Sequence, residues 1–272
     1  MDEHWIVTRR KLESLSNGEL FDLALKEYAG DDSDDFEFPS PVSELWRRGT
    51  TEIFVRAREL CSSDIAAARE LGIAVLAQLG IGEPDSGRPH MDESVEIALR
   101  LLGDSDPEVV QAAAWALTHL NTDEAVGSLI GLRTHLDPEV RRAVAYWRGG
   151  YEDFMSIATL LELMNDNTDL VRRWATFSLG TLCESDTPEI RSALRIRLTD
   201  AVEDVRDEAL WGLAKRRDRN ALKAVLNRIS SDRWSSCDED AAKDALGRIE
   251  ACEIEQIRDG LRGLLDESEP NE

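Results

Sequence analysis

The chain has 272 residues, 42% of them hydrophobic, and its 55 acidic against 32 basic residues give a formal net charge of −23. This charge argues against a general nucleic-acid binder, which needs clustered lysine and arginine, and it favours a basic partner. The N-terminus lacks the basic and apolar regions of a signal peptide, no apolar run is long enough to span a bilayer, and the four cysteines form no CxxC pair. We therefore expect a cytoplasmic protein that binds neither nucleic acid nor membrane.

The first 45 residues are expected to form a cap that is distinct from the rest of the chain. An apolar periodic segment after Asn17, taken as the N-cap residue, predicts a helix that ends before residue 30. Residues 31–41 combine a run of acidic residues with two prolines, a composition typical of a solvated linker. Residues 1–45 are thus predicted to be a helical cap with an acidic linker, and residues 46–272 a separate array.

Within this array, hydrophobic periodicity predicts six helix pairs and a last, C-terminal capping helix. The predicted pairs are 51–61 with 64–79, 94–102 with 107–120, 123–136 with 138–148, 151–164 with 169–182, 188–198 with 202–216, and 221–229 with 239–251, followed by the capping helix at 253–265. Asp106 and Asp137 each precede a proline, and we expect both to cap the helix that follows.

A nine-residue phrase recurs in four second helices of these pairs. It begins at four valines that lie 31, 31 and 34 residues apart: Val109, Val140, Val171 and Val205. A fixed period of this length indicates a solenoid, in which each unit buries its apolar face only against its neighbours. With the valine as position 0, positions 0, 4, 8 and 11 share one side of a helix and are expected to be buried. They are Val109, Ala113, Leu117 and Leu120 in one copy and Val171, Ala175, Leu179 and Leu182 in another.

The junctions before these helices add an aspartate five positions before the valine and an arginine directly after it. Complete copies are Asp166 with Arg172 and Asp200 with Arg206. The pattern resembles the HEAT-repeat family, in its short bacterial variety also seen in phycobilin lyases. The resemblance implies an all-α fold, a right-handed α-α superhelix or solenoid of about six HEAT-like helix pairs with an N-terminal helical cap. It also implies that these aspartates and arginines form a structural ladder between repeats, and that the second helices line a concave surface.

Five aromatic residues, here called the aromatic row, stand out on these helices. They are Trp115, Tyr146, Phe177 and Trp211 at position 6, and Trp174 at position 3. Position 2 adds Arg142 and Arg173. By the resemblance these residues face the concave surface, and rigid rings beside guanidinium groups are typical of protein-interaction hot spots. We interpret the seven residues as a binding site for a protein or peptide, with the arginines bonding a carboxylate. The alternative, that the rings pack in the core, stays open.

No catalytic constellation is recognisable in the chain. The four histidines lack metal-ligand spacing, and the His-Glu dipeptides of iron-binding HEAT-repeat hydroxylases are absent. His119 and His135 are expected to contact carbonyl groups at helix ends. The sequence therefore predicts a non-catalytic scaffold, adaptor or inhibitor without a cofactor. Two enzymatic alternatives stay open: a phycobilin-lyase-like protein that cradles a tetrapyrrole, and a less favoured HEAT-like DNA glycosylase, which the net charge opposes.

Overall fold

A computed structural model describes residues 3–30, 39–80, 90–120, 125–147, 153–231, 234–247 and 254–267. These residues form sixteen α-helices and no strand. The acidic run of the predicted linker, most of the loop after Gly80, and Cys252 lie outside the described residues.

The chain divides into two compact units, Met1–Ala143 and Val144–Glu272. Unit 1 holds α1 (Glu3–Ser14), α2 (Asn17–Tyr28), α3 (Pro41–Arg48), α4 (Thr51–Leu60), α5 (Ala66–Gln78), α6 (Met91–Leu101), α7 (Pro107–Leu120), α8 (Val126–Gly131) and the larger part of α9 (Pro138–Trp147). Unit 2 holds the end of α9, then α10 (Phe154–Leu163), α11 (Asp169–Phe177), α12 (Pro188–Arg197), α13 (Glu203–Lys215), α14 (Arg219–Ser230), α15 (Ser236–Ala245) and α16 (Ile254–Glu267). The six predicted pairs, from α4 with α5 to α14 with α15, are confirmed.

Each unit is built by stacking neighbouring helix pairs. In unit 1, α5 packs against α7, and in unit 2, α13 packs against both α11 and α15. The first helix of a pair packs on its own second helix, as α4 does on α5 and α12 on α13. Stacking between nearest neighbours is the arrangement of a helical repeat protein, in which no single pair could bury its apolar side alone.

The stripe at positions 0, 4, 8 and 11 is buried in α7, as predicted, but only its first three positions are buried in the repeat that begins at Val171. There Leu182 is 39% exposed, so its predicted burial is wrong. The cause is a π-helical turn at Ser178–Leu182, closed by a hydrogen bond from the Cys183 N–H to the Ser178 carbonyl at 2.9 Å. Such a turn inserts one extra residue, and Cys183 is therefore the residue that reaches the core.

The predicted caps at the Asp-Pro junctions are confirmed. An Asp106 carboxylate oxygen accepts the backbone N–H of Glu108 at 3.0 Å, and Asp137 accepts that of Glu139 at 2.8 Å. Each aspartate therefore satisfies one of the N–H groups that an α-helix leaves without a partner in its first turn.

The helices near the N-terminus differ from the prediction at two points. Ser16, rather than Asn17, caps α2, because its hydroxyl accepts from the Glu19 N–H while the Glu19 carboxylate accepts from the Ser16 N–H. This reciprocal capping box moves the start of the helix by one residue. The helix α3 begins at Pro41, inside the segment predicted as a linker, because Ser40 caps it and proline fits its first turn.

Two features hold the π-helical turn against α13. The Arg216 guanidinium, which is buried, donates to five backbone carbonyls at 2.7–3.2 Å. These carbonyls belong to Leu179, Gly180, Cys183, Ser185 and Gly212. The backbones of Gly180 and Gly212 also meet so closely that a Cβ atom on residue 212 would lie 2.5 Å from the Gly180 Cα. Glycine is therefore required where the two elements cross.

Candidate functional site

The aromatic row lies on second helices and is not part of the fully buried core. The Tyr146 side chain is 43% exposed. The other four rings are half-buried, while the aliphatic residues at positions 0, 4 and 8 of the same helices are buried. The rings therefore keep part of their surface in solvent, unlike the aliphatic residues of the same repeats.

Three rings of the row form one cluster in unit 2. The Tyr146 and Trp174 ring centroids are 5.2 Å apart with planes at 89°, and those of Trp174 and Phe177 are 5.6 Å apart at 88°. Edge-to-face contacts place the positive edge of one ring against the negative face of the next and fix their orientation. The cluster is therefore a pre-ordered aromatic surface with Trp174 at its centre.

Trp211 is fixed by a hydrogen bond rather than by another ring. Its indole N–H donates to a carboxylate oxygen of the buried Asp238 at 3.0 Å, and the same oxygen accepts from Arg228 at 3.2 Å. Arg228 also donates to Asp207, the position-2 residue of α13, at 2.6 Å. Because its N–H is used within the chain, Trp211 offers a partner its ring surface alone.

Both predicted site arginines are already paired with carboxylates of the chain. The Arg142 Nε donates to Glu139 at 2.6 Å, and an Arg173 Nη atom lies 2.8 Å from an Asp204 oxygen. Both pairs are partly exposed, and ion pairs of this kind contribute little stability. The role predicted for these arginines, bonding a partner carboxylate, stays a prediction.

A buried carboxylate at this site has no signal in the sequence that we recognised. Glu208, at position 3 of α13, is 7% exposed, and its carboxylate lies 3.9 Å from the Arg173 Nε, too far for a hydrogen bond. Burial raises the pKa of Glu208 to about 7, Arg173 lowers it, and Asp204 and Asp207 raise it further. Acidic residues at helix positions 2 and 3 are ordinarily solvent-facing, so only the packing of α13 on α11 identifies this one.

In unit 1, Trp115 belongs to a second aromatic cluster. The Trp46 and Trp115 rings stack with centroids 6.3 Å apart at 27°, and the His119 ring lies 4.0 Å from that of Trp115. The Trp46 indole N–H donates to the Ala74 carbonyl at 2.9 Å. Trp46, which lies on α3 outside the repeated phrase, therefore extends the ring surface of Trp115 towards α5.

The helix α5 carries a copy of the aspartate–arginine ladder contact that sequence reasoning missed. Arg69 forms two hydrogen bonds with Asp104 at 2.8 and 2.7 Å, just as Arg172 bonds Asp200 twice at 3.0 Å. By this equivalence Ala68 occupies position 0 and Ala74 position 6. Neither a valine nor an aromatic residue marks them, and the Arg69–Asp104 spacing was the only available signal.

The four predicted ladder residues lie at two successive junctions of unit 2. Arg172 bonds the Asp200 carboxylate and also donates to the Asp166 carbonyl at 3.0 Å, while an Asp166 carboxylate oxygen accepts from the Thr168 N–H at 2.8 Å. Arg206 donates to the Asp200 carbonyl at 2.8 Å. Asp200 is thus bonded by Arg172 of the preceding repeat and by Arg206 of the helix that follows it. Contacts of this kind link successive repeats, as a ladder requires.

The histidines lie at helix ends, as expected, but only one meets a carbonyl. The His119 Nδ1 lies 3.1 Å from the Trp115 carbonyl, whereas the His135 Nδ1 accepts the backbone N–H of Asp137 at 3.1 Å. The expectation for His135 is therefore wrong, because its ring turns towards the start of the next helix.

In the described part of the chain, no group of three or more His, Cys, Asp or Glu side chains could hold a metal ion.

No helix among the residues that the structure describes is both long and apolar enough to cross a membrane.

Comparison with known proteins identifies the fold. The family model for HEAT repeats matches residues 56–148, 127–214 and 157–247. Protein YibA of Escherichia coli strain K12 is 25% identical over 228 residues, 81% of this chain and 77% of YibA. The X-ray structure of E. coli YibA aligns with a TM-score of 0.73 and 21% identity over 98% of both chains. An engineered protein aligns with a TM-score of 0.52 and 18% identity over 92% of this chain and 78% of that one.

The family match extends over well more than half of the chain and includes every copy of the repeated phrase. The paired helices, the capped junctions and the aspartate–arginine contacts agree with it. This chain belongs to the HEAT-repeat family.

Proposed function

We propose that this protein is a non-catalytic scaffold, adaptor or inhibitor that binds a protein or peptide through its aromatic row. The observation that carries the proposal is the partial exposure of these rings. In the repeats that begin at Val109, Val171 and Val205, positions 0, 4 and 8 are buried aliphatic side chains, while Tyr146, Trp174 and Phe177 contact one another and keep part of their surface in solvent.

The energetic reason for favouring a protein partner is the character of these side chains. Rigid aromatic rings bury a large area at a low cost in conformational entropy, which is why tryptophan and tyrosine dominate interaction hot spots. Their arrangement on successive second helices, with about one ring per repeat, suits an extended segment or a helix. Nothing about this role requires a cofactor.

The acidic composition supports a basic partner, and the cysteines support a reducing compartment. A net charge of −23 favours association with positively charged proteins through long-range attraction. Cys61, Cys183 and Cys237 are free thiols, which is the usual state of cysteine in the cytoplasm, and we propose that location.

The two enzymatic alternatives gain no specific support. A lyase would need Arg142 and Arg173 to hold the propionates of a tetrapyrrole, and a glycosylase would need them for phosphates. Both arginines pair with acids of this chain, Glu139 and Asp204, so an anionic ligand would have to compete with these acids.

The test is capture of partners from extracts of the native host, with identification by mass spectrometry. We expect Tyr146→Ala combined with Trp174→Ala to lose most of the proteins that wild type retains. The matched control is Phe154→Ala, which removes an 81% exposed ring from α10, away from the row. Retention of the same proteins by the double variant, or equal loss by the control, would contradict the proposal.

A further inference from the structure

The surface beside the Tyr146, Trp174 and Phe177 cluster has more acidic than basic groups. Four acids lie on or beside α13: Asp204, Asp207, Glu208 and Asp238. Their described cationic partners are Arg173 and Arg228. Arg228 bridges Asp207 and Asp238, and Arg173 pairs with Asp204. Each of the two arginines therefore already has an acidic partner other than Glu208.

Glu208 is consequently left without a hydrogen bond among the described residues. Its side chain is 9% exposed, and the 3.9 Å contact with the Arg173 Nε is an ion pair without a shared proton. A buried carboxylate in this condition is costly, since removal from water is offset only by direct hydrogen bonds and close opposite charge. A cation supplied from outside would meet that need.

Glu208 is approached from the side of Arg173. The two side chains form an ion pair at 3.9 Å, and the Arg173 side chain is 46% exposed. A cationic side chain that enters beside Arg173 would therefore contact the Glu208 carboxylate with its charged end.

We propose that unit 2 binds a basic segment of a partner protein along its aromatic rings, with one lysine or arginine side chain of that segment paired with Glu208 next to Arg173. The proposal rests on the proposed function and specifies its partner chemistry. The partner cation adds the hydrogen bonds that Arg173 does not supply, and Arg173 retains Asp204. Trp174 orders the segment by ring contact, while Glu208 selects its charge.

The experiment measures binding of a fluorescein-labelled peptide of alternating lysine and serine by fluorescence anisotropy, with the full chain at about pH 8 and about 0.15 M salt. We expect Glu208→Gln, which keeps the side-chain shape, to weaken binding by about tenfold or more, because it removes the carboxylate from a desolvated charge pair. The control is Glu203→Gln, an identical change of charge at an exposed position of the same helix, expected to bind within about twofold of wild type.

Three results would overturn the proposal. The first is that Glu208→Gln binds the peptide like wild type. The second is that Glu203→Gln weakens binding as much as Glu208→Gln does, which would make the effect one of net charge alone. The third is a peptide with glutamate in place of lysine that binds as well as the lysine peptide. Trp174→Ala separates the proposed function from the role of Glu208. If Trp174→Ala weakens binding while Glu208→Gln does not, the aromatic row is supported as the binding surface and the role of Glu208 is contradicted. If Glu208→Gln weakens binding while Trp174→Ala does not, the proposed function is contradicted.

Discussion

At the scale of single residues, Glu208 makes the stability of the folded chain depend on pH. Burial raises its pKa from an ordinary value of 4.5 to about 7. The folded state then holds the proton more tightly than the unfolded state. Its contribution to stability is complete below the unfolded pKa and is lost as the pH rises through about 7.

We therefore expect Glu208→Gln to be more stable than wild type at about pH 8, by roughly 1–2 kcal/mol, and to lose that advantage near pH 5. Urea unfolding followed by circular dichroism at both pH values measures the difference. A Glu208→Gln difference that is the same at both pH values would contradict the assignment.

Arg216 is the single residue on which unit 2 should depend most strongly. Its guanidinium donates to five backbone carbonyls around the π-helical turn. We expect Arg216→Met, which fills the same space without donors, to lose about 3 kcal/mol or more of unfolding free energy, because buried carbonyls lose their partners.

Chemical denaturation measures this loss, with Lys223→Ala as the control because it removes an exposed positive charge from α14. The control should change stability by less than about 0.5 kcal/mol. A similar small effect for Arg216→Met would mean that water can satisfy these carbonyls.

At the scale of helices, the ladder contacts should stabilise the register between repeats. The Arg172–Asp200 pair is bidentate, with side chains that are only 15% and 5% exposed. Removal of Arg172 takes two hydrogen bonds from the partly buried Asp200 carboxylate, which keeps its ion pair with Arg197 at 3.3 Å. We expect Arg172→Ala to cost about 2–4 kcal/mol, and Arg262→Ala, which breaks an exposed pair with Asp259, to cost less than about 1 kcal/mol.

A double-mutant cycle with Asp200→Ala separates pairing from the loss of the arginine itself. We expect a coupling energy of at least about 1 kcal/mol. Additive effects would assign the stabilisation to the Arg172 contacts with backbone carbonyls instead.

The crossing of α13 over the π-helical turn tolerates no side chain. In Gly212→Ala the new methyl group would meet the Gly180 backbone at 2.5 Å, and we expect a loss of about 2 kcal/mol or more because two backbones must separate. Gly263→Ala in α16 meets nothing within 4 Å and should gain roughly 0.5–1 kcal/mol from helix propensity. Thermal melting compares the two, and equal effects of the same sign would contradict the close approach.

At the scale of the whole molecule, the repeat fold was predictable because its signals are local. Prolines and aspartates at the junctions, together with the spaced valines, identified the start of α7 and α9 from the sequence alone. The first helix pair was predicted, but its ladder contact was missed because Ala68 and Ala74 carry neither the valine nor the ring that mark the other copies. The burial of Leu182 was wrongly predicted because the π-helical turn inserts one residue. A prediction from a constant helical period cannot detect such an insertion.

The site was predictable only in part, for a physical reason. Which helix positions carry rings can be read from the sequence, but their exposure depends on how closely neighbouring helices pack. Trp46 joins Trp115 from a helix outside the repeated phrase, and Glu208 is buried by a glycine crossing that brings α13 against its neighbour. Both depend on contacts between elements distant in sequence.

The central claim, that the aromatic row is the partner-binding surface, is tested most directly by covalent capture in the native host. The photoreactive residue p-benzoylphenylalanine replaces Tyr146 in one version of the chain and Phe154 in another, and each exchange substitutes one exposed ring for another. On illumination, the account predicts a discrete higher-mass adduct with a partner protein from position 146 and none from position 154. An adduct from position 154 alone, or no adduct from position 146, would contradict it.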